Sequence, residues 1–130
     1  CGFAVTVLDN RAKWASPDQH PHASKLVECD FNNADTYIAH PETAFAVIMT
    51  SGHKFDENVL KSLAPLPLKY LGMMGSQNKV KQVFQNLITQ NISSKQLARV
   101  HAPIGLPIGS HTPWEIAISI CGELVKVRNI

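Results

Sequence analysis

The sequence predicts an α/β fold, a parallel sheet with flanking helices, and three observations carry that prediction. Short runs that are apolar and β-branched on both faces recur along the chain, as in strands buried on two sides. Stretches of helical periodicity alternate with them, which is the pattern of a parallel sheet rather than of hairpins. Several runs end in glycines, hydroxyls, imidazoles or an acid, the residue types that serve ligands beyond the carboxyl ends of such strands.

The first run, residues 3–8, sets Phe3, Val5 and Val7 on one face and Ala4, Thr6 and Leu8 on the other, then reaches Asp9, Asn10 and Arg11. Further strands are predicted over residues 25–29, 44–50, 68–71 and 99–101. "SPDQ" reads as a helical turn, with Ser16 as cap, Pro17 at the first helical position and Gln19 reaching back, and a short helix is expected near 34–39. A longer helix over 55–63 carries Val59, Leu60 and Leu63 on one face and is ended by Pro65 and Pro67. Its neighbour, 77–89, carries Val80, Val83, Phe84, Leu87 and Ile88 at helical spacing, with Lys79, Lys81, Gln82 and Gln85 turned outward. The last helix opens on "TPWE": Thr112 caps, Pro113 takes the first helical position and Glu115 closes a capping box. Its nearly all-apolar continuation predicts burial on several sides.

With 130 residues the chain has the length of one domain. Twelve basic and ten acidic residues leave a net charge of +2, with no basic run interleaved with aromatics, so nucleic acid is not an expected partner. Cys1, Cys29 and Cys121 are far apart and form no C-x-x-C, which argues against a disulfide framework or a cysteine-rich zinc site and for a cytoplasmic location. The apolar run 44–49 is too short to cross a bilayer, and no membrane association is expected. His20 and His22 form an H-x-H that no nearby ligand pattern completes, so they read as a solvated loop rather than a metal site.

The strand ends supply the candidate site. Asp9 suits a ribose hydroxyl and Arg11 a phosphate. Thr50, Gly52 and His53 follow the third run, and His53 offers an acid, a base or a hydrogen-bond donor. In "YLGMMGSQNK", Gly72 and Gly75 allow a close turn, and Ser76 begins a helix whose free N–H groups favour an anion. Lys79 adds a point charge one turn along. A turn that is merely capped reads equally well from this motif alone. "HAPIGLPIGSHTP", with His101, Pro103, Gly105 and Gly109, is stiff and long and ends at a second capped helix start. A binding loop is the preferred reading and a structural crossover the alternative. Asp56 reads as a helix cap. With no nucleophile elbow, paired-carboxylate motif or H-E-x-x-H, no catalytic residue is assigned.

Taken together and in order, "VTVLDNRAKWASPDQHP", "TSGHKFDENVLKSL", "KYLGMMGSQNKV" and "LARVHAPIGLPIGSHTPWEIAISICGELV" make the sequence resemble the C-terminal Rossmann-like domain of the XdhC/CoxI family, accessory factors of molybdenum hydroxylases such as xanthine dehydrogenase. The resemblance spans almost the whole chain. It implies a further strand, a "GAGHVG"-like turn and a helix ahead of Cys1, so the domain is expected to be N-terminally truncated. In the order 3-2-1-4-5-6 that strand is central, and the runs 3–8 and 44–50 are expected either to pair directly or to associate as a homo-oligomer.

The function the resemblance implies is that of a non-catalytic factor. It would bind the molybdenum cofactor, a pterin bearing a phosphate or dinucleotide, protect it while its sulfido ligand is installed, and deliver it to the apo-hydroxylase, with a sulfurtransferase as a further partner. An NAD(P)-binding oxidoreductase domain on the same sheet and a pure interaction module are the alternatives. Two departures from the family pattern stand out. Ser51 occupies the place of the first histidine of "THGH", leaving His53 alone. Gln77 and Asn78 stand where arginines are usual, which lowers the positive charge at that helix start.

Overall fold

The structure, a computed structural model, describes residues 1–130 apart from the side chain of His53. Strands β1 (Thr6–Asp9) and β2 (Lys25–Glu28) pair in parallel, with Thr6 opposite Lys25 and Asp9 opposite Glu28. Strands β3 (Phe45–Ile48) and β4 (Tyr70–Met73) form a second parallel pair, with Phe45 opposite Tyr70 and Ile48 opposite Met73. The two pairs do not merge: among the described residues no ladder joins β1 to β3, so the first and third runs do not pair directly. A ring contact, Phe3 on Phe45 at 5.1 Å and tilted by 60°, links them instead. A ladder needs matched backbone edges about 4.8 Å apart, and a tilted ring pair sets no such register.

Parallel neighbours require a crossover. Between β3 and β4 it is α1 (His53–Leu63), whose Val59, Leu60 and Leu63 are buried as their spacing predicts. Between β1 and β2 the "SPDQ" region forms turns, not a helix. Ser16 donates its hydroxyl to the Lys13 carbonyl at 2.8 Å and so caps nothing. The short helix expected near 34–39 is a pair of 3-10 turns over Phe31–Tyr37, begun by Asp30, which accepts from Asn32 N–H.

Helix α2 (Gln77–Ile88) buries Val80, Val83 and Leu87, while Ile88 stands 51% exposed at the end of the stripe. A four-residue helix that the sequence reading missed, α3 (Ser94–Leu97), follows; Ser93 and Gln96 form its capping box. The fifth predicted strand shrinks to one bridge, Gly72 with His101. Pro103, two residues on, has no N–H to extend a ladder.

Helix α4 (Pro113–Arg128) has the predicted capping box but not the predicted burial. Ser119 and Ile120 are buried, whereas Trp114 is 82% and Ile118 64% exposed. The helix meets the loop that follows His101 through Ser119 and Glu123, Tyr70 of β4 through Glu123, and Cys1 and Phe3 through Arg128, which leaves Trp114 and Ile118 on its uncovered side.

The core lies on one face of the β3–β4 pair. Ala46, Ile48, Leu71 and Met73 point there and join Leu60, Leu63, Val80, Val83 and Leu87 of the two helices. On the other face Phe45, Tyr70 and His101 stack in sequence, at 5.9 and 4.6 Å between centroids. Among the described residues no helix is long and apolar enough to cross a membrane.

Candidate functional site

At the carboxyl ends of β3 and β4 the predicted residues converge on one they did not include. Asp56, 1% exposed, sits in the first turn of α1, yet its side chain does not cap that helix. Oδ1 accepts both the N–H of Thr50, at 2.9 Å, and its hydroxyl, at 2.6 Å. Oδ2 accepts from Lys79 Nζ, which also donates to the Met74 carbonyl at 3.1 Å. Lys79, read as a free point charge, is therefore committed to a buried partner. Gly75 permits this: it holds φ at +154°, and a Cβ there would lie 2.7 Å from Lys79 Cδ. Gly52 supplies the carbonyl that accepts from Asp56 N–H at 3.1 Å, and the side chain of His53 lies outside the described residues. Ser76 accepts from Lys79 N–H, which leaves the N–H groups of Gln77 and Asn78 as the open donors of α2.

Gly72 does not form the turn. It lies inside β4, where an added Cβ would meet the Tyr70 hydroxyl at 2.6 Å and Ile104 Cδ1 at 2.7 Å. It makes room for the proline-rich loop. Glu123 of α4 anchors that loop by accepting from the Tyr70 hydroxyl at 2.6 Å and from Gly105 N–H at 3.2 Å, while His101 Nδ1 stands 3.7 Å away. Burial, reinforced by the Glu123 carboxylate, pushes the Tyr70 phenol far up, so it remains a donor. Gly105, at φ +100°, is pressed against Ser119, and Leu106 N–H bonds to the Ser119 carbonyl. Pro103 follows a cis peptide bond, and Gly109 turns at φ +77° in open space.

The start of α4 is not an open anion site. Glu115 Oε1 accepts from the N–H groups of His111 and Thr112, which hold its carboxyl below the usual range, and Thr112 accepts from Glu115 N–H. A carboxylate of the chain itself already occupies the two N–H groups that lead into the helix.

Asp9 and Arg11 at the end of β1 form a two-point ion pair, Nε to Oδ1 at 3.0 Å and Nη2 to Oδ2 at 3.1 Å. Arg11 holds the Asp9 carboxyl below its ordinary value. Beside them opens a cleft of about 520 Å³ between the ends of β1 and β2 and the flank of α1, lined by Asn10, Glu28, Cys29, Asp30, Phe31, Asn32, Tyr37, Phe55 and Asn58. The Oδ1 atom of Asn10 is buried without a hydrogen-bond partner among the described residues. Burial, then the charges of Asp30 and Asp9, push the Cys29 thiol up, so it is neutral.

The predicted residues thus separate into three places. Thr50, Gly52, Gly75, Ser76 and Lys79 surround Asp56; Gly72, His101, Pro103 and Gly105 meet α4 on the other face; Asp9 and Arg11 border the cleft. Apart from Asn10, named only as the neighbour of Asp9, the cleft lining went unread. Its one sequence signal was the acidic, amide-rich "ECDFNN" after the second run.

The comparisons with known proteins fit this architecture. The XdhC Rossmann domain family matches residues 1–124. "Uncharacterized protein YqeB" of Escherichia coli K12 is 31% identical over 98% of this chain and 24% of its own length. A probable xanthine dehydrogenase subunit from Bacillus subtilis 168 is 29% identical over 98% of this chain and 36% of its own. A crystal structure of a xanthine dehydrogenase from Bacillus halodurans superposes with a TM-score of 0.80 at 27% identity, over 98% of this chain and 36% of that one. The chain spans about a quarter to a third of the curated relatives it matches. Its parallel strands, flanking helices and matched family agree, and the chain belongs to the XdhC Rossmann domain family.

Proposed function

We propose that this domain is the cofactor-holding part of an accessory factor for a xanthine dehydrogenase-type molybdenum hydroxylase, binding the molybdenum cofactor through its phosphorylated pterin during maturation and insertion. One observation carries the reading: a chain of this family has, beyond the carboxyl ends of two parallel strands, a cleft of about 520 Å³ lined by aromatic, amide and acidic side chains. That volume lies in the range that takes small organic ligands, at the edge where parallel sheets bind them. The names of the B. subtilis relative and of the B. halodurans structure support a hydroxylase of that class as the partner.

The residues present suit the organic part of the cofactor. Among the described residues no group of three or more His, Cys, Asp or Glu is placed to hold a metal ion, so this chain would grip the ligand through its pterin and phosphate. Asn10 and Asn58 line the cleft that would take the ring, and the start of α2, with the N–H groups of Gln77 and Asn78, is the candidate anion site. When bound, the cofactor carries the metal chemistry that the hydroxylase uses; the domain binds, orients and shields it. A sulfurtransferase as second partner, a cytoplasmic location and self-association through the unpaired edges of β1 and β3 complete the proposal.

The test is anaerobic purification of the whole protein that carries this domain, followed by metal analysis and fluorescence of the oxidised pterin. Pterin near one equivalent, with molybdenum, is the expected result. A protein that expresses beside its hydroxylase and retains neither would overturn the reading.

A further inference from the structure

Helix α4 is attached to the sheet differently from α1 and α2. Those two helices give Val59, Leu60, Leu63, Val80, Val83 and Leu87 to the shared core, whereas among the described residues none of α4 belongs to it, and Ile120, although buried, lies outside. The helix and the loop before it hold each other instead. Leu106 N–H donates to the Ser119 carbonyl at 3.1 Å, Gly105 N–H to Glu123 Oε1 at 3.2 Å and the Ser110 hydroxyl to the Glu115 carbonyl at 3.2 Å, while a Cβ on Gly122 would meet Leu106 Cδ1 at 3.1 Å. Residues 105–128 therefore form one body. The chain is last pinned to β4 at Ile104, whose N–H donates to the Met73 carbonyl at 3.0 Å and whose side chain fills the space that Gly72 leaves. Gly105 follows at φ +100°, a conformation suited to a residue without a Cβ, and is placed to act as the pivot.

Beyond that point, among the described residues, the polar contacts that tie this body to the rest of the chain come from two side chains. Glu123 accepts from the Tyr70 hydroxyl at 2.6 Å and faces His101 Nδ1 at 3.7 Å. Arg128 donates to the Cys1 carbonyl at 2.6 Å and lies 4.8 Å from the centre of the Phe3 ring. We infer that residues 105–128 are a hinged arm, closed over the Phe45–Tyr70–His101 stack by the Glu123 and Arg128 clasps, which opens as a unit while the core of α1, α2 and the β3–β4 pair stays folded. Segments that bury little apolar surface open most readily, and the large apolar side chains Trp114 and Ile118 of this arm take no part in its closure. Opening breaks none of the core packing and bares Tyr70, which is 1% exposed when the arm is closed.

Hydrogen exchange read by mass spectrometry on the whole protein that carries this domain tests the inference. The amides of α4 should exchange together, at least tenfold faster than those of α1 and α2, and with a weaker dependence on urea, because opening the arm exposes less surface than global unfolding. Tyr70→Phe keeps the ring and removes the donor of one clasp, so it should speed exchange in α4 about tenfold and leave α1 and α2 unchanged. Arg128→Gln weakens the other clasp and should act in the same direction on the same helix, which keeps the test intact if Tyr70→Phe does not fold. Exchange in α4 at the rate and urea dependence of α1 and α2 would overturn the inference. So would a folded variant that speeds all three helices alike, or one that leaves α4 unchanged.

Discussion

Around β3 and β4, buried polar groups are answered from within the fold; around β1 and β2, the carboxamide oxygen of Asn10 has no partner among the described residues. The buried polar and charged side chains Asp56, Glu57 and Ser119 all belong to the first region. Each has its partner there: Thr50 and Lys79 for Asp56, Asn86 for Glu57 at 2.9 Å, and the Ile116 carbonyl for Ser119 at 2.7 Å. The second region has an exposed ion pair, a cleft, and a carboxamide oxygen, Oδ1 of Asn10, that is buried without a partner among the described residues. Groups that satisfy one another make a frame. Charge at a strand end is therefore a poor guide to a binding site until its partner is known, as Lys79 shows.

The comparison breaks if disrupting the first region costs little. Lys79→Ala would leave the Asp56 carboxylate buried and unpaired, and the expected loss is about 3–5 kcal/mol in urea or guanidinium unfolding. Lys79→Met combined with Asp56→Leu should recover much of it. Gly75→Ala drives a methyl into Lys79 Cδ, with an expected loss of about 1–3 kcal/mol. That loss should shrink in the Lys79→Ala background, because the atom it collides with is gone, and a double-mutant cycle reads the coupling. Thr112→Ala removes an exposed cap from α4 and should cost about 1 kcal/mol by thermal melt.

The smallest effect is expected at the end of β1. Arg11→Ala should leave the unfolding midpoint where it was at neutral pH, since the ion pair is exposed. It should still raise the Asp9 carboxyl towards its ordinary value, which NMR titration would detect. The sign follows from the depressed folded value: the pair's contribution is complete above the unfolded carboxylate pKa of about 3.9 and disappears as pH falls through the lower folded one. Any difference between the wild type and Arg11→Ala in unfolding should therefore fade as pH falls below about 4, where both carry a protonated Asp9.

Periodicity made α1, α2 and α4 and the four paired strands legible, because their signals are local: apolar spacing, Pro at a first helical position, capping boxes. Long-range arrangement was not. "TPWE" located the start of α4, but nothing in an apolar helix says how many of its sides meet another layer, and Trp114 and Ile118 are exposed. Lys79 and Asp56 are 23 positions apart, and neither residue alone discloses that the other will neutralise it. Gly72 and Gly75 look alike in "GMMG", yet one makes room for Ile104 across the sheet and the other for a lysine one turn along. The cleft was least legible, since amides and acids after a strand are ordinary until burial leaves one of them without a partner.

Arg128 donates to the carbonyl of Cys1 at 2.6 Å and lies 4.8 Å from the centre of the Phe3 ring, closing a sequence separation of 127 residues. During synthesis, the segment ahead of β1 would leave the ribosome long before the arginine that holds it. The contact could form only once α4 had emerged. A nascent chain stalled before residue 128 should therefore be more open to proteases around Phe3 than the finished protein, while α1 and α2 are already protected.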